Sequence, residues 1–379
     1  MSVGGAMWAQ IRAGHEPTSE RVDHVAEIDS AVLGATSVQR LRSRLSADVF
    51  GAGPLEPLIA DPEVTDVLVN GVAGVWVDRG QGLEPVGTVL GDSAAVRRLA
   101  VRLATLAGRR LDETCPYVDG LLPGGVRLHA VLPPLVEGAA HISLRVPRAT
   151  ILRLDDLVRA GSVDARGRQV LRRLVASRVA FVVTGGTGSG KTTLLAALLS
   201  EIDPTERIVI AEDVRELNVD HPHVVRLEGR SPNVEGTGAV SLTTLVRQSL
   251  RMRPDRLVVG EVRGAEVREL LSALNTGHEG GCGTVHANTC GDVVARFEAL
   301  GALAGMPQPA VHAQLASALQ VVVHVRREGG RRYVAQIGVL GWVDTALVVS
   351  PALTWRAGAL RPDLGWARLS KLVGLPEAA

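Results

Sequence analysis

Apolar and polar residues follow several rhythms along this chain, and each predicts a different element. Val38, Leu41, Leu45 and Val49 recur at helical spacing, which predicts a helix closed by Gly51-Ala-Gly-Pro. Short apolar or alternating stretches at residues 64–71, 74–80 and 126–132 predict strands, and residues 94–106 return to helical spacing between them. These elements predict a small α+β domain over residues 37–148. Residues 1–36 show little periodicity and no sustained apolar stretch, so they read as a loosely ordered leader without a signal peptide.

Beyond a linker at residues 147–154 the rhythm changes. Apolar runs at 179–184, 207–212 and 256–261 predict buried strands, and helical spacing appears around 242–250 and over 265–274. Alternating strands and helices predict a mostly parallel sheet covered on both faces, an α/β domain over residues 149–379. Residues 321–326 and 333–339 flank a charged turn containing Gly329-Gly330 and predict a hairpin. The most apolar later stretch, residues 333–353, is interrupted by Gln336, Asp344 and Pro351, and reads as paired strands with a turn rather than a membrane span.

Composition weighs against several function classes. The formal net charge is +1 and aromatic residues make up 3% of the chain, so the protein as a whole has no polyelectrolyte character, though local patches stay open, and few residues could serve as base-stacking platforms, which weighs against nucleic acid as a direct partner. Cys115, Cys282 and Cys290 form no CxxC pair, which argues against a zinc site and a disulfide framework and fits a reducing cytoplasm.

Lysine changes the picture. Two lysines stand among 41 basic residues, and one of them, Lys191, lies in Gly185-Gly186-Thr187-Gly188-Ser189-Gly190-Lys191-Thr192-Thr193. That spacing is a phosphate-binding loop: backbone N–H groups wrap the α- and β-phosphates, the ammonium reaches the β- and γ-phosphates, and the Thr192 hydroxyl binds Mg²⁺. A strand before it and a helix after it supply the required context, and chance gives on the order of 0.002 such matches in a chain of this composition. ATP with Mg²⁺ is the expected ligand.

Turnover needs more than the loop: an acid for metal or water, and positive charge for the transition state. The apolar strand Leu257-Val-Val-Gly-Glu261 delivers a carboxylate at its end, expected to meet Mg²⁺ through water. The strand Ile208-Val-Ile-Ala-Glu212 ends in a second acid, which either orients the attacking water or merely caps a loop, with Asp213 and Glu216 beside it in structural roles. His278 and His286 flank a glycine-rich turn. Eight residues apart and without further ligands, they fit a hydrogen-bonding sensor of the γ-phosphate better than a metal site.

These segments together carry a family resemblance. Residues 185–193, Glu212-Asp213, residues 250–264, and Asn275-Thr-Gly-His-Glu-Gly with Thr284-Val-His-Ala-Asn288 resemble the Walker A, Asp box, Walker B and His box of the type II/IV secretion traffic ATPases. Upstream, Phe50-Gly-Ala-Gly-Pro-Leu-Glu-Pro-Leu58, residues 64–71, Gly108-Arg-Arg-Leu-Asp-Glu113 and residues 122–134 resemble the N-terminal domain of the CpaF-type branch, which serves tight-adherence (Flp) pili. The resemblance spans roughly residues 37–340. It implies a RecA-like P-loop domain with a smaller N-terminal domain, a hexameric ring, and ATP at the cleft between domains. It also implies an inner-membrane platform protein as partner and a location in the cytoplasm against the inner face of the plasma membrane. By position in the motifs, Arg127 and Arg145 resemble the arginines that reach the γ-phosphate. The chain departs from the family at Gly281-Cys-Gly283, where relatives carry bulkier residues, and after Gly341.

Three functions are weighed: a motor for pilus assembly or secretion, a conjugal nucleic-acid motor, and a nucleotide-gated scaffold with little turnover. The composition disfavours direct nucleic-acid binding. Lys191, Thr192, Glu212 and Glu261 occurring together disfavour the scaffold.

Overall fold

The protein is represented by a computed structural model that describes residues 49–376 apart from 81, 148–150, 231, 233–236 and 278, together with residues 18, 20, 39, 42 and 45–47. The leader expected over residues 1–36 lies outside these but for residues 18 and 20. The chain divides into two compact units, Met1–Ala149 and Thr150–Ala379.

In the first unit, strands β1 (Asp66–Asn70), β2 (Val75–Asp78), β3 (Leu83–Val86), β4 (Tyr117–Leu121), β5 (Arg127–Val131) and β6 (His141–Arg145) form one antiparallel sheet in the order β3-β2-β1-β6-β5-β4. Alternation sorts its faces. Val67, Val69, Leu128, Ala130, Ile142 and Leu144 point into a core shared with the helix Ser93–Leu106, which buries Val96, Leu99, Ala100 and Leu103. Asp92 starts that helix by accepting a hydrogen bond from the Ala95 N–H at 2.8 Å. Strands β3, β4 and β6 were not predicted. The edge strand β3 is mostly exposed and contains Pro85, so it has no apolar rhythm to read.

The second unit is built on a nine-stranded sheet. Its strands are β7 (Phe181–Thr184), β8 (Ile208–Glu212), β9 (Val224–Glu228), β10 (Arg256–Val262), β11 (Cys282–Val285), β12 (Val321–Glu328), β13 (Arg331–Val343), β14 (Ala346–Arg356) and β15 (Ala359–Pro362). The order is β15-β14-β13-β12-β7-β11-β10-β8-β9. From β12 to β9 all pairings are parallel, and from β12 to β15 they are antiparallel.

Strands β7, β8 and β10 are buried on both sides over most of their length, which is why they read as continuous apolar runs. Val183, Val258 and Val323 pack under the helices Ala165–Ala176, Lys191–Leu199 and Trp366–Leu372. Val182, Val259 and Val322 pack under Leu242–Ser249, Glu266–Leu274, Val293–Leu303 and Gln308–Ala318. Residues 333–353 fall on β13 and β14, which reverse at Asp344 (φ 52°). No helix among the described residues is long and apolar enough to cross a membrane.

The Gly281-Cys-Gly283 departure has a packing cause. A Cβ on Gly283 would stand 2.5 Å from the Val259 carbonyl oxygen, so β11 can lie against β10 only with glycine there. Gly280 (φ 70°) makes room for the buried Arg256, whose guanidinium pairs with Glu206 at 2.6 Å and donates to the Val175 carbonyl at 2.9 Å.

Candidate active site

The site grows from the central strand. β7 ends at Thr184, the loop Gly185–Gly190 turns back over it, and a helix starts at Lys191. Gly185, Gly188 and Gly190 hold φ values of 151°, 68° and 97°, and a Cβ on Gly185 would collide with the Val325 carbonyl. Ser189 Oγ donates to the Gly186 carbonyl at 2.8 Å and closes the loop internally. Lys191 is 8% exposed, and its Nζ donates to the same carbonyl at 3.0 Å. Burial pushes the Lys191 ammonium below its ordinary pKa, while the nearby carboxylates of Glu261 and Glu216 oppose the shift.

Beside the loop, Thr192, Glu212, Glu216, Gly260, Glu261 and Arg263 line one small polar cleft. Parallel pairing of β10 with β8 explains this convergence, because strands running the same way deliver their end residues to the same edge. Glu261 Oε1 lies 2.7 Å from His286 Nε2, and Oε2 lies 2.6 Å from an Arg263 guanidinium nitrogen. Burial, and then Lys191, lower the pKa of His286, so the imidazole is neutral near pH 7 and meets the carboxylate as a hydrogen-bond donor.

Glu212 plays a double part. It is 4% exposed, and its Oε1 accepts backbone N–H bonds from Glu216 at 3.1 Å and Leu217 at 3.0 Å. Burial raises its pKa against those two bonds. It therefore caps the following loop and also faces the cleft. Gly260 makes room for it, since a Cβ there would lie 2.6 Å from Glu212 Cγ.

The cleft thus gathers Thr192, Glu212 and Glu261, with His286 paired to Glu261 and Lys191 near enough to feel the carboxylates of Glu261 and Glu216. Gly186, Thr187 and Thr193 are exposed on and just after the loop, and His278 lies outside the described residues. Arg127 and Arg145 belong to the first unit. They are Cα partners across β5 and β6 on the face away from that unit's core, and Arg145 is in turn paired with Asp66 on β1, Nε to Oδ1 at 3.4 Å.

Sequence reasoning gave no role to Arg263, to Thr284 or to His324. Thr284 Oγ1 donates to the Gly260 carbonyl at 2.7 Å and ties β11 to the carboxylate strand. Arg263 was visible in Glu261-Val-Arg263-Gly264, where Glu266 Oε1 fixes the turn by accepting the N–H groups of Arg263 and Gly264 at 2.5 and 2.7 Å. His324, Cα partner of Thr184, is 4% exposed with Nδ1 unpartnered among the described residues, and gave no signal in an apolar run.

The described residues offer no cluster of three His, Cys, Asp or Glu side chains for a metal. The oxygen donors present, Thr192 and Glu261, fit Mg²⁺, which is commonly held by one or two protein ligands with water and substrate phosphates.

A family model described as "Type II/IV secretion system protein" matches residues 48–330. A Mycobacterium tuberculosis (strain H37Rv) protein, named provisionally for conjugal transfer, is 54% identical over 316 residues, covering 82% of this chain and 90% of that protein. The type IV secretion system protein PtlH of Bordetella pertussis is 33% identical, covering 76% of this chain and 94% of that protein. Among solved structures, the pilus retraction motor PilT with bound ADP superposes with a TM-score of 0.52 at 22% identity, covering 84% of this chain and 85% of that one. That likeness shows the fold, a RecA-like domain with a smaller N-terminal domain.

Proposed function

Because the chain belongs to the type II/IV secretion system protein family, we propose that it is an ATP-hydrolysing motor that powers pilus assembly or protein secretion. The observation that carries this reading is the convergence of Thr192, Glu212 and Glu261 on one cleft beside the phosphate loop, with His286 bonded to Glu261 and Lys191 within the electrostatic reach of that carboxylate.

In this proposal the loop N–H groups of residues 185–193 wrap the phosphates and Lys191 leaves the Gly186 carbonyl for a phosphate oxygen, a charged and stronger acceptor. Thr192, and Glu261 through water, would hold Mg²⁺, which would supply neutralisation of phosphate charge. Glu212 orients the attacking water, with its burial-raised pKa favouring proton uptake. His286 holds Glu261 on one side and Arg263 on the other. Arg127 and Arg145 stabilise charge on the γ-phosphate.

The proposal extends to a hexamer of the CpaF type, working at the cytoplasmic face of the plasma membrane against an inner-membrane platform protein. The motif combination of the N-terminal domain supports that branch. A second reading, service in a conjugation apparatus, is favoured by the name of the 54% identical relative. A net charge of +1 and 3% aromatic residues favour a motor that drives the apparatus over one that grips DNA.

The test separates binding from turnover. Glu261→Gln should bind ATP with wild-type affinity, while steady-state hydrolysis falls at least about a hundredfold. Wild-type turnover in this variant would remove Glu261 from the reaction.

A further inference from the structure

A buried carboxylate needs a balancing charge, and for Glu212 the residue placed to supply it is one the catalytic reading does not use. Arg226 lies on β9 as the Cα partner of Ile210 on β8, and Glu212 follows two residues further along β8. Alternation puts Ile210, Glu212 and Arg226 on one face of the sheet, where Ile208, Ile210, Leu217 and Val219 share a core. Neighbouring strands about 4.8 Å apart, with a rise of about 3.3 Å per residue, set the Cα atoms of Arg226 and Glu212 roughly 8 Å apart. An extended arginine side chain spans that gap.

Each of the two groups lacks something the other offers. Arg226 is half-buried, and its Nε is buried with no hydrogen-bond partner among the described residues. Its Nη2 donates to the Val219 carbonyl at a long 3.4 Å. Burying a guanidinium so weakly bonded is costly, and the like charge of Arg215 nearby adds to the cost. Glu212 is 4% exposed, with Oε1 already accepting the Glu216 and Leu217 N–H groups, and its own Cα partner on β9 is a second acid, Glu228. The Arg226 charge acts on Glu212, and the Glu212 charge on Arg226.

We propose that Arg226 is a positioning residue for hydrolysis, whose guanidinium balances the Glu212 carboxylate inside the protein and keeps it ionised and ready to take a proton from water. The proposal rests on the reading of Glu212 as the residue that orients the attacking water. The other charged groups about Glu212 are Asp213 and Glu216 on the loop it caps, Glu228 beside it on β9, and Glu261 and Arg263 beyond Gly260, with Lys191 close to Glu261 and Glu216. Arg263 is already bonded to Glu261. Without Arg226 the buried carboxylate is easier to protonate, so a reaction that needs it ionised fails at a higher pH.

Steady-state ATP hydrolysis by the full chain between about pH 5 and pH 9 tests this, with circular dichroism confirming the fold at each pH. Arg226→Gln should move the acid limb of kcat/KM upward by at least about 0.5 pH unit, a roughly threefold change in proton affinity, while the rate at high pH stays within about twofold of wild type. Arg226→Lys, which keeps the charge, should move the limb less than Arg226→Gln. Should the Gln variant fail to fold, Arg226→Met, which keeps an apolar stem and buries no polar head, should show the same shift. An acid limb unmoved within about 0.2 unit, or turnover lowered by one factor at every pH as a purely structural residue would give, would overturn the proposal. Glu212→Gln separates the two levels: wild-type turnover there would overturn the reading of Glu212 itself.

Discussion

Acidification should destabilise this protein through His324, at the root of the phosphate loop. Burial, reinforced by Arg326 and Lys191 and opposed by Asp292, pushes its pKa from the ordinary 6.5 down to about 4. The folded protein therefore holds the imidazole neutral where the unfolded chain would protonate it. Since the folded pKa is depressed, the stability is fully present above about pH 6.5 and is lost as pH falls towards about 4. A shift of this size corresponds to about 3 kcal/mol at the acid limit and about 2 kcal/mol at pH 5.

His324→Gln is neutral at every pH, so its stability difference from wild type isolates this titration from that of every other group. Urea unfolding followed by tryptophan fluorescence at pH 7.5 and pH 5.0 supplies the four numbers. The wild-type advantage should shrink by about 2 kcal/mol on going to pH 5.0. An advantage unchanged within about 0.5 kcal/mol would show that the buried ring does not titrate in this way.

Two further outcomes follow from the same geometry. Glu212→Gln keeps an Oε1 acceptor for the Glu216 and Leu217 N–H groups, so it should fold and bind ATP with turnover reduced at least about a hundredfold, whereas Glu212→Leu should also lose about 1–3 kcal/mol in chemical denaturation; wild-type turnover in the Gln variant would leave Glu212 as a loop cap alone. Arg127→Ala and Arg145→Ala should each lower the maximal ATPase rate more than ATP affinity, short of the roughly 10³–10⁵ attributed to a single arginine finger, and rates equal to wild type in both would make them ordinary surface residues of β5 and β6.

The phosphate loop was legible because its chemistry is local: nine consecutive residues carry the turn, the cation and the hydroxyl. β7, β8 and β10 were legible because burial on both faces leaves continuous apolar runs. β4 was missed because Tyr117-Val-Asp-Gly-Leu121 holds little alternation, whereas His141-Ile-Ser-Leu-Arg145 does alternate but over only five residues, with Gly138-Ala-Ala140 just before it. The partners within the site were hidden for another reason. Glu212 reads as a strand-end acid, and only folding shows that one of its oxygens is committed to Glu216 and Leu217. Arg332 meets Gly188 across 144 residues of chain, a contact no local pattern encodes. His324 sits in Val-Val-Val-His-Val, where a single polar residue barely perturbs a strand signal.

The central claim is that this chain turns over ATP at the loop carrying Lys191. The most direct measurement is phosphate release from Mg-ATP by the purified full chain beside Lys191→Ala, with circular dichroism confirming that both are folded. The account predicts steady release by the wild type and background release by the variant. Equal release by the two proteins would contradict it.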